Sequence, residues 1–98
     1  KGISCHNSSP KITDCIIKSN VSRNAGGGIA LWDSSNAVLE NVIISENISS
    51  WRWPPGPGAD NNGQGGGVSI INSSPIFRNV EITENISKFS LFISFFIL

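Results

Sequence analysis

The stretch G-I-A-L-W-D-S-S-N-A-V-L-E-N-V-I-I-S-E-N, residues 28–47, recurs in altered form on either side of itself. Before it, residues 2–20 read G-I-S-C-H-N-S-S-P-K-I-T-D-C-I-I-K-S-N. After it, residues 67–85 read G-V-S-I-I-N-S-S-P-I-F-R-N-V-E-I-T-E-N. The opening Gly2, Gly28 and Gly67 stand 26 and 39 residues apart, and the closing Asn20, Asn47 and Asn85 stand 27 and 38 apart. The basic period is therefore near 26 residues, broken by an insertion, W-R-W-P-P-G-P-G-A-D-N-N-G-Q, at residues 51–64. The middle copy also carries one extra residue between Asp33 and Leu39. A fixed period of this length marks a stacked architecture.

Aligned on that period, the chain sorts into columns. Ile3, Ile29 and Val68 match, as do Cys5, Leu31 and Ile70. The series continues with Ile12, Leu39 and Phe77, then Cys15, Val42 and Val80, then Ile17, Ile44 and Ile82, and last Val21, Ile48 and Ile86. Variable residues lie between these six apolar columns, among them His6, Trp32 and Ile71, or Thr13, Glu40 and Arg78. Alternation at period 2 is the mark of a strand with one buried face. One copy cannot close a core alone. Stacked copies pair their strands in parallel about 4.8 Å apart, and each apolar column becomes an inner seam. Crossovers between parallel strands are overwhelmingly right-handed. The expected fold is all-β: a right-handed parallel β-helix, a single-stranded solenoid of about three coils.

Polar columns frame the seams. Asn20, Asn47 and Asn85 stand where Asn tolerates a left-handed turn and where stacked amides can bond from copy to copy. Asn7, Asp33 and Asn72 form a second turn column, each followed by Ser-Ser. The division expected is coil 1 at 2–27, coil 2 at 28–50, an inserted loop at 51–64, coil 3 at 65–88 and an atypical apolar tail at 89–98.

Composition agrees with strands and turns. Ser, Asn, Gly and Ile dominate, Met is absent, and the formal net charge is zero with 14% charged residues. Nucleic acid is not an expected partner, because a phosphate-binding surface needs clustered Lys and Arg. The tail F-S-L-F-I-S-F-F-I-L is about half of the roughly 20 residues a membrane helix needs. It reads as a terminal β-segment, a cap or a foreign tail, and no membrane span is expected. The chain opens at Lys1 rather than Met and reads as an internal piece of a longer protein, stacking on further coils of that chain.

One rival fold shares part of the pattern. Leu39-x-x-Val42-x-Ile44-x-x-Asn47 fits the leucine-rich repeat. That repeat returns through a helix or 3₁₀ segment, whereas the remainder here is a second strand between glycines and a turn.

With these motifs in view, the chain resembles the right-handed parallel β-helix repeats of pectate-lyase-like proteins and bacterial surface proteins. The carriers are G-G-G-I at residues 26–29, G-G-G-V at 65–68, N-S-S-P at 7–10 and 72–75, and the Asn column. The resemblance covers residues 2–88. It is similar in its glycine half to the polymorphic outer-membrane proteins, but Phe77 is followed by Val80 where that family has Asn. The resemblance implies a secreted or cell-surface location. It also implies a menu of roles: adhesins and stalks, or lyases, hydrolases and epimerases of acidic polysaccharide. Fold alone does not choose among them.

The candidate chemistry is sparse. Trp51, Arg52, Trp53 and Asp60 of the insertion, with Trp32, are the candidate carbohydrate contacts. Indole faces stack on sugar rings and a guanidinium clamps a uronate carboxylate. The plainer alternative packs both insertion indoles on the outer wall. A hydrolase needs paired carboxylates at set distances, but Asp14, Asp33, Glu40, Glu46, Glu81 and Glu84 read as surface acids, and no catalytic residue is assigned. His6 has no second His beside it, so no metal site and no cofactor are expected. Cys5 and Cys15 occupy apolar columns and read as buried free thiols rather than a disulfide. Five Asn-x-Ser sequons, at Asn7, Asn20, Asn47, Asn72 and Asn85, follow from the repeat itself. The functional expectation is a non-catalytic scaffold segment. The alternative is a segment that binds or cleaves acidic polysaccharide by lyase or hydrolase chemistry.

Overall fold

A computed structural model describes residues 2–23, 25–50 and 65–87, together with the backbone of residues 95–97. The described residues are all-β. Ten strands run in the order β1 (Ile3–His6), β2 (Lys11–Lys18), β3 (Val21–Ser22), β4 (Ile29–Trp32), β5 (Val38–Ser45), β6 (Ile48–Ser49), β7 (Val68–Ile71), β8 (Ile76–Thr83), β9 (Ile86–Ser87) and β10 (Phe95–Ile97). They assemble into three sheets, ordered β1-β4-β7-β10, β2-β5-β8 and β3-β6-β9, and every pairing is parallel. Each repeat thus gives one strand to each sheet, and the chain then returns to the first. We call β1–β3, β4–β6 and β7–β9 rungs one, two and three.

The register follows the columns. Cα partners include Ile3–Ile29–Val68, Cys5–Leu31–Ile70, Ile12–Leu39–Phe77, Cys15–Val42–Val80 and Ile17–Ile44–Ile82. These residues build one apolar cluster. Its middle layer is closed: Ile29, Leu31, Leu39 and Ile44 are 0% exposed and Val42 is 1% exposed. Each such side chain contributes about 1.5–3 kcal/mol by leaving water.

Left-handed residues shape the long strands. Asn7, Asp33 and Asn72 take φ of 53°, 51° and 52° at the corner before β2, β5 and β8. Asp14, Asn41 and Asn79 take 52°, 54° and 52° in the middle of those strands. That second column explains a three-residue step from Leu39 to Val42 inside an otherwise alternating strand. One residue turns the backbone through the left-handed region, and both apolar neighbours still face inward. Asn and Asp adopt this conformation at lower cost than other side chains. The extra residue of rung two is absorbed at the first corner, where Ser34 joins Asp33 at positive φ, 62°. Pairing resumes at Lys11–Val38–Ile76.

The Asn20, Asn47 and Asn85 amides form a continuous ladder, but the left-handed turn expected of them is taken one residue earlier, by Ser19, Glu46 and Glu84 at φ of 58°, 54° and 54°. The backbone N–H and Nδ2 of Asn20 donate to Asn47 Oδ1, both at 3.0 Å. Those of Asn47 donate to Asn85 Oδ1 at 2.9 and 3.0 Å. The amide of Asn47 also donates to the Ile17 carbonyl and that of Asn85 to the Ile44 carbonyl, each at 2.9 Å.

One column needs correction. Val21, Ile48 and Ile86 were expected to line the interior, but Val21 is 59% and Ile86 42% exposed. The inward positions of β3, β6 and β9 belong to Ser22, Ser49 and Ser87, at 4%, 0% and 1% exposure. The phase is set one residue earlier. Asn47 points inward and is fully buried, so strand alternation turns Ile48 outward and Ser49 inward. Space agrees: a Cβ on Gly27 would meet the Ile48 backbone, and one on Gly66 the Ile86 backbone.

The C-terminal tail contributes a strand. β10 pairs with β7 in the register Phe95–Val68, Phe96–Ser69 and Ile97–Ile70, adding a fourth strand to the first sheet.

Candidate functional site

The insertion residues Trp51, Arg52, Trp53 and Asp60 lie outside the described residues, so the candidate chemistry that can be placed centres on Trp32. This residue ends β4, half-buried, in register with His6 of β1 and Ile71 of β7. Beyond it the chain turns at Asp33. His6 Nε2 and Asp33 Oδ2 stand 2.7 Å apart, both side chains largely exposed. The corner thus combines an indole, an imidazole and a carboxylate from two adjacent rungs. The juxtaposition is invisible to a search along the chain, because the two partners are 27 residues apart. It follows once the columns are stacked, His6 lying over Trp32 and therefore next to Asp33.

Three of the remaining described acids pair with groups on neighbouring rungs. Glu46 Oε2 lies 3.4 Å from Lys18 Nζ, and Glu40 Oε2 lies 3.8 Å from Arg78 Nη1. Each pair joins neighbouring rungs at the surface, where an ion pair is worth about 0–1 kcal/mol. Asp14 Oδ1 accepts from the Asn41 amide at 3.0 Å, and Asn41 Oδ1 accepts from the Asn79 amide at 2.7 Å. This outer amide ladder was not foreseen from the sequence. Its signal was the Asp or Asn that recurs in the three-residue step of every repeat. Among the described residues, no three His, Cys, Asp or Glu side chains converge as a metal-binding group.

The turn that follows Trp32 is tied by hydroxyls. Ser35 Oγ donates to the Trp32 carbonyl at 2.6 Å and accepts from the Ser8 N–H at 3.3 Å. Ser73 Oγ accepts from the Ser35 N–H at 3.0 Å. The Ser35 and Ser73 hydroxyls therefore fasten one rung to the next at this corner, with Ser35 fully buried. The two cysteines are free thiols: Cys5 is buried, whereas Cys15, expected to be buried, is only half-covered. Desolvation pushes the Cys5 thiol above its usual pKa.

Among the described residues, which form strands and turns alone, no helix is long and apolar enough to cross a membrane. Comparison with family models, with curated proteins and with solved structures found no match to this chain.

Proposed function

We propose that the chain is a segment of a right-handed parallel β-helix acting as a non-catalytic scaffold in a secreted or cell-surface protein of adhesin or stalk type. Three strands per repeat, each paired in parallel with its equivalent in the next, support the solenoid reading. Right-handedness follows from the general preference of parallel crossovers. The scaffold reading rests on one observation: polar side chains are used to fasten one rung to the next. His6–Asp33, Lys18–Glu46, Glu40–Arg78 and the Asp14–Asn41–Asn79 ladder all join neighbouring repeats. The same logic makes further turns of a longer chain the natural neighbours of this segment.

A second reading is favoured by the Trp32–His6–Asp33 corner. There a half-buried indole lies beside exposed polar groups, the composition of a sugar-binding surface. In that reading the segment contacts acidic polysaccharide, with Trp51, Arg52, Trp53 and Asp60 of the insertion as further contacts. Titrating uronate oligomers against tryptophan fluorescence separates the two. The scaffold reading expects a flat titration. A saturable response abolished by Trp32→Ala, or by Trp51→Ala with Trp53→Ala, replaces it with the polysaccharide reading.

A further inference from the structure

Three of the five Asn-x-Ser sequons point into the stack: Asn20-Val21-Ser22, Asn47-Ile48-Ser49 and Asn85-Ile86-Ser87. Alternation turns the middle residue outward, so the asparagine and the serine that a glycosyltransferase must recognise together both face inward. Ser22, Ser49 and Ser87 are buried, and so is Asn47, which has a rung on either side.

The amide nitrogens are engaged as well as covered. Nδ2 of Asn47 uses both hydrogens, on the Ile17 carbonyl and on Asn85 Oδ1. Nδ2 of Asn20 donates to the Lys18 carbonyl at 3.2 Å and to Asn47 Oδ1, and Nδ2 of Asn85 donates to the Ile44 carbonyl. Each nitrogen also sits against a glycine. A Cβ on Gly2, Gly28 or Gly67 would stand 2.8, 2.9 or 2.8 Å from the amide nitrogen of Asn20, Asn47 or Asn85. A single methyl group does not fit there, and a sugar ring is far larger. The other two sequons differ. Asn7 and Asn72 lie exposed at the first corner, and their middle-rung counterpart Asp33 keeps its side chain 58% exposed between two rungs.

We propose that Asn20, Asn47 and Asn85 are N-glycosylation acceptors in the unfolded chain only, and that a sugar on any one of them bars the stacked fold. The donor is a nucleoside diphosphate sugar. The bond from its anomeric carbon to the diphosphate oxygen breaks as that carbon bonds the asparagine Nδ2. The amide gives up one proton to a base of the transferase, and the nucleoside diphosphate leaves. At Asn20 and Asn47 the linkage removes a hydrogen that the ladder uses. At all three it places a bulky polar group where the glycine backbone must pass. Folding and modification therefore exclude each other, whichever comes first, and this holds whether or not the chain is secreted.

The test makes the full chain by cell-free synthesis, with UDP-glucose and a soluble N-glycosyltransferase added either during synthesis or after folding. Peptide mass spectrometry reads glucose at each asparagine, and circular dichroism of the separated species reads the sheet. Added during synthesis, the enzyme should divide the product. Chains with glucose at Asn20, Asn47 or Asn85 lack the sheet signal, and sheet-forming chains carry none at these positions. Added after folding, it should leave all three unmodified over a time that suffices for the nascent chain. Glucose at any of the three on a sheet-forming chain would overturn the proposal. So would equal modification in the two orders, no modification in either, or the same loss of sheet in chains modified at Asn7 or Asn72 alone.

Discussion

Asn47 ties its rung to both neighbours. It is fully buried, its Oδ1 accepts from the N–H and the amide of Asn20, and its own amide donates to Ile17 O and Asn85 Oδ1. Substituting Asn47→Ala strands buried partners on both neighbouring rungs, and a buried polar group left unpaired costs about 1–3 kcal/mol. The expected loss is about 3 kcal/mol, read as a lower urea midpoint. The exposed ladder residue Asn41 offers the control. Asn41→Gly preserves the left-handed backbone and changes stability by about 0.5 kcal/mol or less. Cys5 makes a prediction in pH. Its thiol is pushed up by desolvation, so the folded chain holds it neutral at a pH where the unfolded chain has begun to ionise it. The associated stability is complete below the unfolded thiol pKa and declines as pH rises through and above it. Iodoacetamide labelling followed by mass spectrometry at mildly alkaline pH should modify Cys15 first. Equal rates at the two sulfurs would contradict the burial that separates them.

At the scale of the strand, close approach of backbones decides what is tolerated. A Cβ on Gly27 would collide with the Gly66 carbonyl and with the Ile48 backbone. None of these atoms can rotate away, so Gly27→Ala should cost about 2–3 kcal/mol, as overpacking does elsewhere. Thermal unfolding followed by circular dichroism measures it. Much of this level was legible in the sequence. Period-2 alternation located β1, β2, β4, β5, β7 and β8, and the column alignment gave their register, with one extra residue between Asp33 and Leu39 that the structure accommodates at Ser34. The sixth column was misread because hydrophobicity was allowed to set the phase. Val21, Ile48 and Ile86 are the apolar members of their strands, yet the buried asparagine one residue earlier fixes which side faces in. The Asp14–Asn41–Asn79 ladder escaped notice for a related reason. Its residues interrupt the alternation and looked like variable surface positions, whereas the left-handed backbone gives them a fixed place. His6 and Asp33 were missed because only stacking brings them together.

For the whole molecule, the central claim is that three equivalent rungs lie over one another around a shared dry interior. Parallel pairing spaces neighbouring rungs about 4.8 Å apart and alternate rungs at about twice that distance. The apolar columns then behave as ordered triplets in which the middle member touches both outer ones. NMR on the full chain, selectively labelled at Ile and Leu methyls and at Phe ring protons, tests the arrangement most directly. Ile44 should show cross-peaks to both Ile17 and Ile82, and Leu39 to both Ile12 and Phe77. No direct cross-peak should join Ile17 to Ile82 or Ile12 to Phe77. Direct contact between the first and third members of either triplet, or a middle member that sees neither neighbour, would contradict the stacked order on which the rest depends.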